Sequence, residues 1–146
     1  MATASKPVTF TSDGATCAAD LYLPPDFDAG KSWPAVVLCH GFTVLKRSLV
    51  NEGNYFAAAG YVTLAIEYRH FGESGGEPRG RLFPLQEVED VRNAISFVQR
   101  LPGVDGERIG IWGSSFGGGI VSYTAAVDRR VKAVVAQAPI LDGYRW

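Results

Sequence analysis

Between Arg108 and Ser122 an apolar run halts at Gly113 and resumes with helical spacing after Phe116, and Ser115 stands at the junction. Gly113-Ser114-Ser115-Phe116-Gly117 carries a glycine two positions to either side of the serine, the G-x-S-x-G pattern of a sharp, strained turn from strand to helix. In so tight a turn those flanking residues pass close to one another, and a Cβ on either would meet the neighbouring backbone. The turn lifts the hydroxyl clear of the sheet. It also sets the backbone N–H of Phe116 at a helix N-terminus, where free donors and the helix dipole favour negative charge. In a chain with glycine at 17 positions the five residues alone would carry little weight; the β-run before them and the helical pattern after them supply the context that gives them meaning.

The surrounding pattern fixes the fold class. Val8–Phe10 and Thr16–Leu23 are expected as two strands joined at Ser12-Asp13-Gly14, an antiparallel hairpin. Ala35–Cys39 is a continuous apolar run suited to a strand covered on both faces, and it ends at His40-Gly41. Ser48–Ala59 has helical spacing, with Leu49, Val50, Phe56 and Ala57 available for burial and Gly60 as its stop; Tyr61–Tyr68 returns as strand. The glycine-rich Arg69–Gly80 is loop. Leu85, Val88, Val91, Ile95 and Val98 then line one helix face, with Pro84 in the first turn and Glu87, Glu89 and Asp90 placed to complement the dipole. Ile109–Trp112 is expected as strand, Phe116–Ala126 as helix and Val131–Gln137 as another strand. A hairpin followed by β-α repeats gives an α/β protein with a mostly parallel sheet and helices on both faces. Loops at the carboxyl ends of such strands carry the site, and His40-Gly41, Glu67–Gly76, Ser115 and Asp142 fall at that rim.

Composition narrows the classes of function. A chain of 146 residues, 47% of them apolar, is long enough for one core, and residues 1–146 read as a single domain. With 14 basic and 15 acidic residues the net charge is −1, so no field draws nucleic acid or an anionic membrane. The polar opening Met1–Lys6 lacks the pattern of a secretory signal, which makes a reducing cytoplasm the expected compartment. Cys17 and Cys39 fall inside strands as small buried hydrophobes, and no CxxC, HExxH or His/Cys cluster offers metal ligands, so no cofactor is expected.

His40-Gly41-Phe42, Glu67-Tyr68-Arg69-His70-Phe71-Gly72-Glu73-Ser74 and Gly113–Gly118, in that order, resemble the α/β-hydrolase superfamily, in particular serine hydrolases akin to dienelactone hydrolases, acyl-peptide hydrolases and esterases. The likeness runs from Val8 to Trp146 and corresponds to the N-terminal portion of such proteins. It implies Ser115 as nucleophile, the backbone N–H groups of Phe42 and Phe116 as oxyanion-hole donors, and a small-molecule ester, or an amide or thioester, as substrate. His40 is expected to shape its turn through loop hydrogen bonds. Arg69, His70 and Glu73 are expected to tie down the rim from a surface-facing loop, with substrate contact as the alternative. Lys46 and Arg47 stand either as a solvated first turn or as contacts for an anionic substrate.

The family supplies serine, then acid, then histidine in chain order. After Ser115 there is no histidine, and both histidines, His40 and His70, precede it. Asp128 falls at the wrong end of the sheet for the acid; Asp142 is at the correct rim, where a minority of the superfamily places its acid, although an ordinary loop aspartate fits there too. The resemblance also implies further strands after Val131–Gln137, without which that strand is an open apolar edge that invites a second copy of the chain or a complementary C-terminal polypeptide. The expectation is therefore a serine hydrolase whose histidine and acid come from other sequence; the alternative is a non-catalytic binding or assembly module, or an inactive fragment.

Overall fold

Alternation of buried side chains along the central strands builds two cores, one on each face of a single sheet. A computed structural model describes residues 5–145, so most of Met1–Lys6 and also Trp146 lie outside the described residues. The elements are β1 (Lys6–Ser12), β2 (Ala15–Tyr22), β3 (Trp33–Cys39), a 3-10 turn (Lys46–Leu49) leading into α1 (Val50–Ala58), β4 (Val62–Ile66), α2 (Pro84–Gln99), β5 (Val104–Ser114), α3 (Phe116–Val127) and β6 (Val131–Gln137). The six strands lie in the order β1-β2-β4-β3-β5-β6. β1 and β2 pair antiparallel, β2 pairs antiparallel with β4, and β4, β3, β5 and β6 run parallel. The sequence-based fold class holds: a mostly parallel sheet with an N-terminal antiparallel hairpin.

Within β3, Ala35, Val37 and Cys39 join the core under α2 and α3, while Val36 and Leu38 join the smaller core with Leu49 and Ala57 on the α1 side. That period of two puts successive residues on opposite faces. Both cysteines are buried and unpaired, as expected. Burial pushes the Cys17 thiol up to about 12 and raises that of Cys39 as well. β5 runs longer than its apolar kernel Ile109–Trp112 because Val104 already pairs with Trp33.

Four side chains depart from the helical pattern. Leu85, expected on the buried face of α2, is 66% exposed. Val50 is likewise exposed. Glu87 and Asp90, expected to complement the α2 dipole, are buried, at 2% and 0% exposure. Asp90 belongs to an ion pair: its Oδ1 accepts from Arg69 Nε at 2.7 Å and its Oδ2 from the Arg69 backbone N–H at 2.9 Å. Arg69 is thus structural, as expected, but it and His70 are buried rather than surface-facing, while Glu73 is exposed. Arg69 Nη2 also reaches Ser12 Oγ, locking the hairpin to α2.

The sheet ends at β6, where Val134 and Val135 remain about half exposed at 44% and 52%. At the opposite rim from the elbow, Asp128 pairs with Arg130 and Arg92, and the Arg130 hydrogen bonds hold its carboxyl down at about 2. No helix among the described residues is long and apolar enough to cross a membrane.

Candidate active site

The turn between β5 and α3 places Ser115 at φ 55°, ψ −121°, in backbone space that non-glycine residues rarely adopt. Several contacts hold it there. The Ser115 N–H donates to Gln137 O on β6 at 2.9 Å, and its carbonyl accepts from Ile140 N–H at 3.1 Å. Gly113 and Gly117 allow the close pass, since a Cβ on Gly113 would collide with the Gly117 carbonyl and a Cβ on Gly117 with the carbonyls of Cys39 and His40. The turn after β3 is therefore seated directly against the elbow.

Gly41 completes that seat: a Cβ placed on it would lie 3.4 Å from Ser115 Cβ and 4.0 Å from Oγ. The adjoining Phe42 ring stands 6.1 Å from that of Phe116, the residue that opens α3. The structure thus brings together Ser115, Phe42 and Phe116, the three residues the sequence singled out. A cavity of about 330 Å3 opens over Ser115 and Phe42, lined also by Gly41, Ser48, Trp112 and Gln137 among others.

Glu67, at the carboxyl end of β4, clamps this rim. Its Oε1 accepts from the Lys46 backbone N–H at 3.2 Å and its Oε2 from the Glu73 N–H at 2.6 Å. The carboxylate so occupies the space beside Gly72, at φ 48°, that no Cβ fits there. Lys46 does not await an anionic substrate: its ammonium pairs with Asp20 and Glu73, both at 3.0 Å.

Neither histidine is hydrogen-bonded to Ser115. His40 is buried and its Nδ1 donates to Gly41 O at 2.9 Å, with its ring edge-on to Tyr68 at 4.5 Å. The expectation of a histidine satisfied by loop hydrogen bonds holds for that nitrogen alone, because Nε2 is buried without a partner. Burial lowers the His40 pKa. His70 Nε2 donates to Gln86 Oε1 at 2.9 Å. Asp142 is exposed, accepts from the Tyr144 N–H at 3.0 Å and lies 3.5 Å from Arg145.

Contributors to the cavity that sequence reasoning missed include Glu52, Trp112 and Gln137. Gln137 closes an apolar strand at the same rim as Ser115, and that position was a signal. Glu52, one polar residue in a helical pattern, gave none.

Strand order, elbow and rim together define an α/β-hydrolase. Residues 13–146 match the X-Pro dipeptidyl-peptidase (S15) family, and the chain belongs to it. It is 41% identical over 138 residues to the quorum-quenching protein AidA of Acinetobacter baumannii, covering 94% of this chain and 44% of that one. It is 32% identical over 133 residues to the thiohydrolase aneE of Aspergillus aculeatus, covering 90% and 40%. The solved α/β hydrolase GrgF from Penicillium superposes with a TM-score of 0.87 at 30% identity, over 95% of this chain and 47% of that one. The chain spans less than half the length of these relatives.

Proposed function

We propose that this chain is the nucleophile-bearing part of a serine hydrolase that cleaves carboxylic esters, and by the same chemistry thioesters or amides, through an acyl-enzyme on Ser115. The observation that carries the reading is the Ser115 backbone at φ 55°, held under a cavity with Gly41 packed against it. Strain of this kind costs about 1–3 kcal/mol and persists where the surroundings over-determine it, most often at functional sites. A hydrolytic relative such as the thiohydrolase is in keeping with this chemistry.

In this reading Ser115 Oγ bonds to the carbonyl carbon as its proton passes to a general base. The carbonyl oxygen gathers charge between the backbone N–H groups of Phe42 and Phe116. Collapse of the tetrahedral intermediate breaks the bond to the leaving group, which takes the proton. Water then releases the acyl group by the same path. Each oxyanion donor contributes about 2.7–4 kcal/mol to the transition state, so the two supply a large share of the catalysis encoded here. A serine hydroxyl needs a base oriented by a third group. With His40 and His70 engaged elsewhere, that histidine comes from sequence outside this chain, and the acid either from there as well or from Asp142. Further polypeptide covers the exposed β6 edge in the working protein.

The test is labelling with a fluorophosphonate, read by intact mass and peptide mapping, on the chain alone and with a C-terminal portion supplied. Modification of Ser115, absent in Ser115→Ala, is expected; an unlabelled Ser115 in the completed protein removes the nucleophile assignment.

A further inference from the structure

Glu67 is buried, and both of its carboxylate oxygens accept from backbone, Oε1 from the Lys46 N–H at 3.2 Å and Oε2 from the Glu73 N–H at 2.6 Å. Its own backbone is pinned to the hairpin. The Glu67 N–H donates to Ala18 O at 2.9 Å, and the Glu67 carbonyl accepts from Ser74 Oγ at 2.6 Å, while that Oγ accepts from the Ala18 N–H at 2.8 Å. The carboxylate is thus a fixed point carried by β2 and β4. A side chain locked by its surroundings in this way can hold a neighbouring loop in place.

The loop it holds carries the Phe42 N–H. Phe42, Thr43 and Val44 are exposed, so burial does little to fix them. Thr43 also stands at φ 59°, in the left-handed region that a β-branched residue enters only where its surroundings over-determine it. An exposed and strained turn takes its shape from its two ends. At the first, Gly41 packs on Ser115 and the His40 carbonyl on Gly117. At the second, Leu45 O accepts from the Ser48 N–H at 2.9 Å and from Ser48 Oγ at 2.8 Å, and the Lys46 N–H sits on Glu67. The Ser48 contacts are local to the chain. The Glu67 contact ties this end to the sheet, with the Lys46 ammonium on Asp20 as a side-chain tie beside it.

Resting on the reading of Ser115 as nucleophile and Phe42 as oxyanion donor, we infer that Glu67 is a positioning residue of the oxyanion site: through the Lys46 N–H it fixes where the Phe42 N–H stands. A donor serves catalysis when it is preorganised at the place the oxyanion will occupy, and a misplacement of about 1 Å can cost on the order of a hundredfold in rate. The uncharged carbonyl of the bound substrate loses far less. The influence of Glu67 therefore falls on the transition state and not on substrate binding.

The experiment breaks the link at each of its two ends in the full-length protein. Lys46→Pro deletes the N–H and sets a ring carbon against Glu67 Oε1. The backbone accepts it, since Leu45 is extended at φ −126°, ψ 167° and residue 46 opens the short 3-10 helix. Lys46→Pro is read against Lys46→Ala, which loses the same ammonium and keeps the N–H. Glu67→Ala removes the acceptor itself. The readouts are kcat and KM for p-nitrophenyl butyrate and Ki for trifluoromethyl propyl ketone. Ser115 Oγ bonds to the carbonyl carbon of this ketone as its proton passes to the base, and the carbonyl oxygen becomes the oxyanion. Lys46→Pro relative to Lys46→Ala, and Glu67→Ala relative to the wild type, are expected to lower kcat by on the order of tenfold to a hundredfold and to raise Ki by the same factor. KM is expected to stay within about twofold. A role in folding alone would lower kcat through the active fraction and leave Ki where it was.

Equal kcat and Ki in Lys46→Pro and Lys46→Ala overturn the inference, and so does a fall in kcat with Ki unmoved. Where a thermal melt finds Glu67→Ala unfolded, the Lys46 pair decides alone. Ser115→Ala separates the two layers of the reading. Turnover that survives in it refutes the nucleophile and this inference together, whereas turnover lost in it, beside unaltered Lys46→Pro kinetics, refutes the positioning role and leaves the nucleophile standing.

Discussion

Gly41 packs on Ser115 so closely that a Cβ there would stand 3.4 Å from the serine Cβ and 3.2 Å from the Ser114 carbonyl. The turn after β3 and the elbow after β5 are consequently one packed unit, and Gly117 is its other half, with the Cys39 and His40 carbonyls against its Cα. Gly117→Ala has to push two backbone segments apart, and neither is a flexible side chain. Overpacking of that kind costs about 1–3 kcal/mol. A urea midpoint lowered accordingly is expected, together with slower Ser115 labelling. An unchanged midpoint would mean that the two turns yield freely.

Ser115→Gly should separate stability from function. Glycine reaches φ 55° without the penalty a side chain incurs there. Relief of about 1–3 kcal/mol of strain is offset by about 0.5–1 kcal/mol of extra chain entropy in the unfolded state, leaving a net gain of about 1 kcal/mol. Ser115→Ala keeps the strain and gains nothing. Thermal melts of the two variants, both unreactive toward a fluorophosphonate, are expected to differ with the glycine form higher. The same melting temperature for both would argue that Ser115 is unstrained.

Those features were legible because they are local. The glycines around Ser115, set between a β-run and a helical pattern, announce a turn, and the buried run Ala35–Cys39 announces a covered strand. The positions that escaped depend on partners far along the chain. Asp90 reads as a helix-start acid until Arg69 is folded against it, and Leu85 keeps the helical period yet lies where nothing among the described residues covers it. Glu67 reads as the end of a strand, whereas its role as a clamp requires the N–H groups of Lys46 and Glu73. Glu52 is silent for the same reason: its meaning comes from the cavity, which α1, β5 and the loop after β3 make jointly.

Loss of Asp90 should be among the most damaging polar changes in the molecule. Asp90→Ala strands the Arg69 guanidinium, whose side chain is only 6% exposed, and removes the acceptor of the Arg69 backbone N–H. Breaking a buried pair from one side costs about 3–5 kcal/mol. The exposed pair Lys132–Glu107, with side chains 46% and 85% exposed, is the control. Glu107→Gln should cost no more than about 0.5 kcal/mol. Chemical denaturation of both variants checks the contrast, and equal effects would deny the buried pair its structural role.

Glu87 gives the fold a pH dependence of definite sign. Burial, with the Asp90 charge adding to it, raises its carboxyl from 4.5 to about 8. Its Oε2 lacks a partner that would favour the ionised form. The native protein thus holds a proton that the unfolded chain gives up above the ordinary carboxylate range. Stability falls where the native state binds more protons than the unfolded one, so Glu87 contributes a decline as pH rises from about 4.5 to about 8. Between those values the loss is on the order of 5 kcal/mol at most. Glu87→Gln keeps the shape and the neutral state but cannot ionise. Urea midpoints measured across this range are expected to decline for the wild type and to do so far less for Glu87→Gln, and parallel pH profiles would show that Glu87 is ionised in the native protein.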